Sequence, residues 1–503
     1  MPRRIIRGLK PLSVWALSLI ISGCIGTGGI APQGSSLPPD SLATDAAIQS
    51  AAQDAHWPVA QWWRAYGDAQ LNRWIELAAQ GNPSLAMAAA RVREARAMAG
   101  IAESAESLHI TGDSSLKRHN WGADQFYGPG ALAGTTTWDN SASLGLSYSL
   151  DLWGRESNAS ERALDMAHMS AAEERQAQLE LQDNIVRAYI QLSLNYAKRD
   201  IVEATLAQQK QLLDLAQRRL QGGIGTHFEV SQAETPLPET HRQIDSLDEA
   251  IALSRNQLAA LAGKGPGAGA QLQRPTLSLQ TALKLPSALP AQLLGQRPDV
   301  VASRWRVAAQ ARGIDIAHAG FYPNVDLVGS LGYVATGGGM LEFLAGKKFN
   351  YNVGPAVSLP IFDGGRLRSE LGEAAAGYDA AVAQYNQTLV MALKSISDQL
   401  IRRESMDKQQ VFASESVASA QKTYDIAMIA FQRGLTDYLN VLNAQTLLFH
   451  QQQIQQQVQA ARLSAHAELV VALGGGLSAG NDSPAEETTR APKTPSVLAV
   501  FDR

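Results

Sequence analysis

The residue types that most often do chemistry are scattered along this chain and form no catalytic pattern. Nine histidines occur among 503 residues, and no two have the His-x-x-x-His spacing that places two metal ligands on one helix face. The glycine-rich segment Gly263–Gly269 resembles a phosphate loop, but it lacks the P-loop order and follows a predicted helix. A flexible connector explains it better. We therefore expect no enzyme and no nucleotide, metal or cofactor site.

Composition favours long helices over a compact sandwich. Hydrophobic residues make up 45% of the chain but aromatic residues only 6%, and alanine and glutamine are abundant. The formal net charge of −4 gives no reason to expect nucleic acid as a partner.

The single cysteine, Cys24, follows a secretory signal. A basic start precedes the apolar run Pro11–Ile21, which is too short to span a bilayer. The segment Ile21-Ser22-Gly23-Cys24 resembles a bacterial lipobox, with an ordinary signal peptide as the alternative. The resemblance implies cleavage before Cys24 and attachment of a diacylglycerol and an N-acyl chain there. Ile25, where an Asp would retain the protein at the inner membrane, implies sorting to the outer membrane.

The rest of the chain is built twice. The segment Leu150–Arg155 in the first half corresponds to Leu359–Arg366 in the second, and Gly223–Val230 corresponds to Gly434–Val441. The offset is about 210 residues in both cases, which indicates an internal duplication.

Each repeat contains a very long predicted helix. Leu181, Ile185, Ala188 and Leu192 step by four and three residues, and Leu389, Leu393, Ile396 and Leu400 do the same. We expect helices over 157–221 and 366–433, each roughly 97 Å long at 1.5 Å per residue. A coiled-coil dimer has the same spacing.

Alternating segments distinguish the chain from a simple coiled coil. Large apolar residues alternate with small polar ones over 143–150 and 351–359, and upstream partners lie near 108–117 and 325–334. Strands with one face in lipid and the other in a wet lumen have this pattern, and so does a half-buried soluble sheet. The surface loops would be 119–138 and 335–350. Four strands cannot close a barrel, and open edges are not tolerated in hydrocarbon, so membrane strands here require an oligomer.

These segments resemble the TolC-like outer membrane factor family, most closely its NodT-type lipoprotein branch. The motifs that carry the resemblance span about Trp62 to Gly476: Trp62-Trp63, Gly67-Asp68, Asn82, Leu85, Leu150–Arg155, Arg297-Pro298-Asp299, Phe321-Tyr322-Pro323, Leu359–Arg366 and Phe431–Thr436.

The resemblance implies a mainly α protein with β. Three chains of four strands would form a twelve-stranded β-barrel in the outer membrane, continued by a long periplasmic α-helical barrel. It also implies a passive conduit that exports drugs or other toxic small molecules, with multidrug resistance as the outcome. The implied partners are a periplasmic membrane fusion (adaptor) protein, an inner-membrane pump and outer membrane lipid. A channel for protein or peptide secretion and a non-pore periplasmic coiled-coil scaffold lipoprotein are the alternatives.

The helical hairpin turns would lie at the periplasmic tips. By resemblance, the tips close the resting channel and dock the adaptor. The polar and glycine residues expected to dock are Gly223, Thr226, Arg433, Gly434, Thr436 and Asp437. Polar turn residues are also what any helical hairpin needs.

The channel constriction would lie just beyond these turns, at Glu229, Gln232, Asn440 and Asn443. The family's founding channel has aspartates at the positions of Asn440 and Asn443, so we expect a narrow gate with weaker cation selectivity. Pro236 and Pro238 should kink or delay the helix after the first turn.

The expected organisation is a signal peptide (1–23), a lipidated flexible tether (24–55), a first repeat (56–290), a second repeat (291–476) and a disordered C-terminal tail (477–503). Each repeat would hold a helix, a strand pair and a long helical hairpin.

Overall fold

The computed structural model describes residues 26–38, 42, 59–123, 131–279 and 297–476. The predicted signal peptide, Cys24, most of the second half of the predicted tether and the tail 477–503 lie outside the described residues.

From the helix before the strand pair onward, the two repeats have the same order of elements, except that the last helix of the first repeat is interrupted. A 3-10 turn at Trp62–Tyr66 opens the first repeat, and a single helical turn at Pro266–Gly269 follows its last helix. The first repeat contains α1 (Ala69–Gly81), α2 (Pro83–Ser104), β1 (His109–Asn120), β2 (Thr136–Ser149), α3 (Arg155–Gln221), α4 (His227–Glu234) and α5 (Leu237–Leu261). The second contains α6 (Pro298–Ala319), β3 (Asn324–Thr336), β4 (Phe349–Ser358), α7 (Arg366–Gln432) and α8 (Tyr438–Ala472).

The two long helices, α3 and α7, each have 67 residues. In both, an aspartate before the helix accepts hydrogen bonds from backbone N–H groups of the first turn. The carboxylate of Asp151 accepts hydrogen bonds from the backbone nitrogens of Glu156 and Ser157, at 3.0 and 2.9 Å. In the second repeat Asp363 accepts from the backbone nitrogen of Leu367 at 2.7 Å. A carboxylate at this end of a helix satisfies free N–H groups and complements the helix dipole.

The helices pack as two layers that share α3 and α7. Near the sheet the order across the protomer is α2, α3, α6 and α7, and away from it the order is α5, α3, α8 and α7. The shorter helices of one layer meet those of the other end to end. The side chain of Asn82, which caps α2, donates to the carbonyl of Leu261 at the end of α5 (2.7 Å), and Arg297, before α6, donates to the carbonyl of Ala472 at the end of α8.

The strands form a four-stranded antiparallel sheet within the described residues, in the order β1-β2-β3-β4. Leu144 pairs with Gly112 on one side and Leu331 on the other, and Leu331 pairs with Tyr351. Pro355 lies in β4, an edge strand, where a missing N–H is tolerated. The outer edges of β1 and β4 are not paired with any described strand.

The largest hydrophobic core lies where the short helices meet the middle of α3. Its fully buried side chains come from both repeats and include Tyr66, Leu71, Ile185, Tyr189 and Leu258. A second core lies at the far end of the long helices, around Leu212, Phe431 and Tyr438.

The segment 26–38, part of the expected flexible tether, lies along α7. The backbone nitrogens of Gln33 and Gly34 donate to Asp379 of α7, at 2.8 and 2.6 Å. The side chain of Asn386, two turns further along α7, accepts from the backbone nitrogen of Leu37 (2.8 Å) and donates to the carbonyl of Ser35 (3.0 Å). These bonds place this part of the predicted tether against the helix.

Candidate functional site

The sheet has one apolar face and one polar face, and the pairing register carries both across all four strands. Directly opposed residues of antiparallel strands share a face. The apolar face carries Ile110, Leu116, Leu144, Leu146, Tyr148, Val325, Leu327, Leu331, Tyr333, Phe349, Tyr351, Val353, Pro355 and Val357. Many of these side chains are exposed, including Tyr351 (75%) and Val353 (71%). The other face is mainly serine, glycine, asparagine, threonine and aspartate, with Val328 and Val334 among them.

Aromatic residues lie at both ends of the apolar face. Trp138, Tyr333 and Phe349 lie near the loop end, and Tyr148 lies near the helix end. From Trp138 to Tyr148 the strand advances roughly 33 Å, which becomes about 25 Å of height at the usual barrel tilt. That is the height of the apolar band of an outer membrane barrel, between its two aromatic girdles.

The helical hairpins end in matching turns. Gly223 and Gly434 both have φ 71°, the left-handed conformation that glycine adopts without strain. The backbone nitrogen of Ile224 donates to the carbonyl of Arg219 at 3.0 Å, and that of Leu435 donates to the carbonyl of Ala430 at 2.9 Å. These bonds close the C-termini of α3 and α7 in the same way.

The next helices begin with side-chain caps. Thr226 and Glu229 form a reciprocal capping box, with both backbone-to-side-chain distances at 3.2 Å. Asp437 caps α8 by accepting from the backbone nitrogen of Asn440, at 3.2 Å. The amide of Asn440 also donates to Thr436 (2.8 Å) and Asp437 (2.9 Å).

All the residues expected at the tips and constriction therefore lie together at one end of the helices. Arg433 and Asp437 are exposed in the turns. Glu229 and Asn440 occupy equivalent positions and are engaged in capping, whereas Gln232 and Asn443 lie one turn further along their helices.

Sequence reasoning missed an apolar pair that occurs at both tips. Ile224 and Phe228 are 70% and 68% exposed, and Leu435 and Leu439, at the equivalent positions, are 76% and 48% exposed. The signal was present in the sequence, since both pairs have the same spacing after the turn glycine.

The two hairpins differ beyond the turn, as the prolines predicted. The first hairpin is interrupted between Glu234 and Leu237, whereas α8 is continuous. Pro236 and Pro238 have no N–H, so two carbonyls of the preceding turn lose their donors. The hydroxyl of Thr240 donates to Gln209 of α3 at 2.8 Å, and both side chains are buried, which fixes the position of the break.

A buried carboxylate organises the middle of the protomer. Asp68 accepts from the backbone nitrogens of Gln70 (2.8 Å) and Thr276 (2.8 Å) and from the hydroxyl of Tyr189 (3.0 Å). Burial acts to raise the pKa of Asp68, but these hydrogen bonds and one from Leu71 outweigh it and hold the pKa below its ordinary value. The carboxylate thus joins α1, α3 and the segment after α5.

Two further titratable groups lie nearby, His466 buried and Asp183 partly buried. The ring of His466 meets that of Tyr66 edge-on at 5.5 Å, and burial lowers the pKa of His466 to about 4, helped by the positive charges of Arg403 and Arg462. Burial raises the pKa of Asp183 to about 6, against the opposing effect of Arg187, whose guanidinium lies 3.6 Å away. Asp183 lines a cavity of about 470 Å³ where α6 begins and α8 ends.

The described part of the chain contains no cluster of three or more His, Cys, Asp or Glu side chains placed to hold a metal ion. No described helix combines the length and the hydropathy needed to cross a membrane.

Comparisons with known proteins match this architecture over most of the chain. A model of the outer membrane efflux protein family matches residues 74–264 and 289–475. The fusaric acid resistance protein FusA of Burkholderia cepacia is 46% identical over 487 residues, which cover 96% of this chain and 91% of FusA. The multidrug resistance outer membrane protein MdtP of Escherichia coli K12 is 27% identical, covering 93% and 96% of the two chains.

The chain belongs to the outer membrane efflux protein family.

Solved structures agree with this assignment. The outer membrane protein VceC of Vibrio cholerae superimposes with a TM-score of 0.78 at 34% identity, covering 84% of this chain and all of VceC. The outer-membrane channel OprN has the same TM-score at 26% identity. Campylobacter jejuni CmeC, at 21% identity and a TM-score of 0.81, shows the shared fold. The fold class expected from the sequence, mainly helical with a four-stranded sheet, is confirmed, and the family consists of channel proteins without a cofactor rather than enzymes.

Proposed function

We propose that three copies of this chain form a closed outer membrane channel that serves as the exit duct of a tripartite efflux system. The observation that carries the proposal is the register of the sheet, which places most of the large apolar side chains on one face and mainly small or polar side chains on the other, while β1 and β4 keep open edges. Because an open edge is not tolerated in hydrocarbon, β1 of one copy must pair with β4 of the next. Three copies then supply twelve strands.

The helices support the same closure. The layers end at α2 and α5 on one side and at α7 on the other, and much of the outward surface of these helices is exposed in the single protomer. Apolar side chains remain open there, including Met87, Met98 and Ile101 on α2 and Val411 and Phe412 on α7. A neighbouring copy would cover both edges.

Electron microscopy of the particle purified in detergent tests the closure. We expect a three-fold hollow cylinder with a short barrel and a stalk near 100 Å long, since each 67-residue helix spans roughly 100 Å. A solid rod or a two-chain coil would contradict the proposal.

For the transported compounds, we infer that fusaric acid is among them, because FusA matches this chain at 46% identity almost end to end. A strain that lacks the gene should become sensitive to fusaric acid and recover when the full chain is supplied. Unchanged susceptibility in the deletion strain, with the inner-membrane pump intact, would remove fusaric acid from the substrate list.

The tips are proposed to bind a periplasmic adaptor, with Gly223, Thr226, Arg433, Gly434, Thr436 and Asp437 at the contact. The exposed pairs Ile224/Phe228 and Leu435/Leu439 would supply its apolar part. The double variant Ile224→Ser/Leu435→Ser should lose the adaptor on co-purification while the channel stays assembled. Leu164→Ser, at a side chain that is 50% exposed on α3 far from the turns, is the matched control.

We also propose that Glu229, Gln232, Asn440 and Asn443 line the constriction and give it weak cation selectivity. Glu229→Gln tests the role of the charge cleanly, because glutamine also completes a capping box. The reversal potential in a salt gradient should shift toward zero. Strong cation selectivity that survives the substitution would contradict this assignment.

The chain is further proposed to be anchored by acyl chains at Cys24. Labelled palmitate should enter the wild-type protein and be absent from Cys24→Ala, and globomycin should block its processing. Label retained in Cys24→Ala would exclude this anchor.

A further inference from the structure

The loop between β3 and β4 folds back over the apolar face of the sheet. Asn140 and Ala335 are paired directly on that face, and they are only 2% and 5% exposed. Leu144 and Leu331, which are paired directly on the same face four residues further along their strands, are 48% and 40% exposed. The difference arises because the amide of Asn140 donates to the carbonyl of Met340, at 2.7 Å, and holds the loop across the face.

The loop has a fixed shape of its own. Gly338 has φ 81°, which allows a tight turn, and the carboxylate of Glu342 accepts from the backbone nitrogen of Gly339 at 2.9 Å. The turn Glu342–Leu344 contacts β3, and Phe343 is 5% exposed. This part of the chain therefore presents a defined surface.

That surface is apolar and continues the outer face of the sheet. Met340, Leu341 and Leu344 are 47%, 64% and 52% exposed. On the polar face of the sheet, these side chains would meet water in the lumen. On the face where the structure places them, they extend the apolar band toward the loop end.

Two lysines lie between this apolar surface and the start of β4. Lys347 and Lys348 immediately precede Phe349, whose ring meets Tyr333 at 5.5 Å in the aromatic girdle. Both lysines are exposed, and the nearby carboxylate of Glu342 is engaged with the loop backbone. Aromatic girdles mark the level of the headgroups, so these ammonium groups lie where lipid phosphates lie.

We propose that residues 337–348 form a binding site for a phosphorylated glycolipid of the outer leaflet. Met340, Leu341 and Leu344 contact its acyl chains, and Lys347 and Lys348 bind its phosphates. The inference rests on the proposed insertion of the sheet in the outer membrane. It assigns this loop to the lipid side of the barrel, away from the mouth of the pore.

The depth of the loop provides the first test. Spin labels at Leu341→Cys, Leu144→Cys and Ser141→Cys of the full chain in outer-membrane lipid are compared for access to oxygen and to a water-soluble nickel relaxant, with the unsubstituted protein as the control for Cys24. We expect the labels at 341 and 144 to favour oxygen and the label at 141 to favour nickel. Nickel access at 341 with oxygen access at 144 overturns the loop site alone. Nickel access at both 341 and 144 overturns the membrane sheet itself.

Lipid binding provides the second test. Bisphosphorylated lipid A is titrated into the detergent-solubilised assembly and counted by native mass spectrometry, which also reports the assembly state. Lys347→Gln/Lys348→Gln should weaken binding by about fivefold per lysine removed. Lys210→Gln/Lys422→Gln, which removes two exposed lysines from α3 and α7, should leave it unchanged. Equal binding by both double variants overturns the phosphate contact, and equal competition by inorganic phosphate overturns the lipid as its source.

Discussion

The guanidinium of Arg219 lies over the ring of Phe431, with 5.0 Å between the guanidinium carbon and the ring centroid. Arg219 is near the end of α3 and Phe431 is near the end of α7, so the contact joins the two hairpins of one protomer just above their turns. Phe431 is fully buried and also meets the ring of Tyr438 edge-on at 5.9 Å. The attraction between a cation and an aromatic ring in a site shielded from water stabilises the pair by about 1–2 kcal/mol.

Arg219→Gln should loosen the tip and raise the conductance of single channels in planar bilayers by a few fold. The reason is that the tip, proposed to be closed at rest, loses one of the contacts between α3 and α7. Arg218→Gln is the matched control, since Arg218 is 73% exposed and pairs only with Asp214 of its own helix in the described structure. Equal conductance in both variants would show that this contact does not hold the tip closed.

His466→Phe should change how stability depends on pH. In the folded protein burial lowers the pKa of His466 to about 4, whereas the unfolded chain binds the proton near pH 6.5. Acidification between these values stabilises the unfolded state, so His466 lowers stability by up to about 3 kcal/mol as the pH falls. Phenylalanine keeps a ring against Tyr66 but does not titrate. The unfolding temperature of the variant should therefore not show the decrease that His466 causes as the pH falls from 6.5 to about 4.

Asp183→Asn should have the opposite effect. Burial raises the pKa of Asp183 to about 6, so the folded protein takes up a proton before the unfolded chain does near pH 3.8. The stability that protonated Asp183 contributes is therefore fully present below pH 3.8 and is lost as the pH rises through about 6.

In the wild type the effects of His466 and Asp183 on the free energy of unfolding have opposite signs and largely cancel between about pH 4 and 6. We expect stability to rise with acid in His466→Phe, to fall with acid in Asp183→Asn and to stay flat in the double variant; parallel curves for the two single variants would refute the assignment.

Gly263→Ala should disrupt the packing of the segment after α5 against the connection between α1 and α2. Gly263 has φ 68°, and a Cβ there would lie 2.0 Å from the carbonyl oxygen of Gly81, so the backbone of α1 and α2 must move. We expect a loss of at least about 2 kcal/mol in denaturant unfolding. Gly265→Ala, two residues on, meets nothing within 4 Å and should be nearly neutral. A similar loss in both would mean that general loop stiffening, not this close approach, is responsible.

The sequence predicted the large elements well because their signals are local and periodic. The expected helix 157–221 lies within the observed Arg155–Gln221, and the four strands and their connecting loops appear close to where alternation placed them. The equivalent glycines at 223 and 434 likewise predicted the two turns, since few other residue types adopt a positive φ.

Features that depend on distant partners were not predictable in this way. The segment 26–38 reads as a tether by composition, and Asp379 and Asn386, more than 340 residues later, are among the side chains that hold it in place. The return of the β3–β4 loop over the sheet similarly depends on Asn140 reaching Met340. In both cases a side-chain amide or carboxylate forms a hydrogen bond with a backbone group far away in the chain. Such a contact produces no periodic pattern in the sequence.

The open edges of β1 and β4 also have a consequence for inheritance. If three copies close the ring, each copy pairs its β1 edge with one neighbour and its β4 edge with the other, so a copy with a defective edge disrupts every ring that it enters. A cell that makes normal and defective chains in equal amounts would then assemble only about one ring in eight from normal chains alone. Alleles that alter the strand edges should accordingly be dominant, whereas alleles that prevent the chain from being made should be recessive.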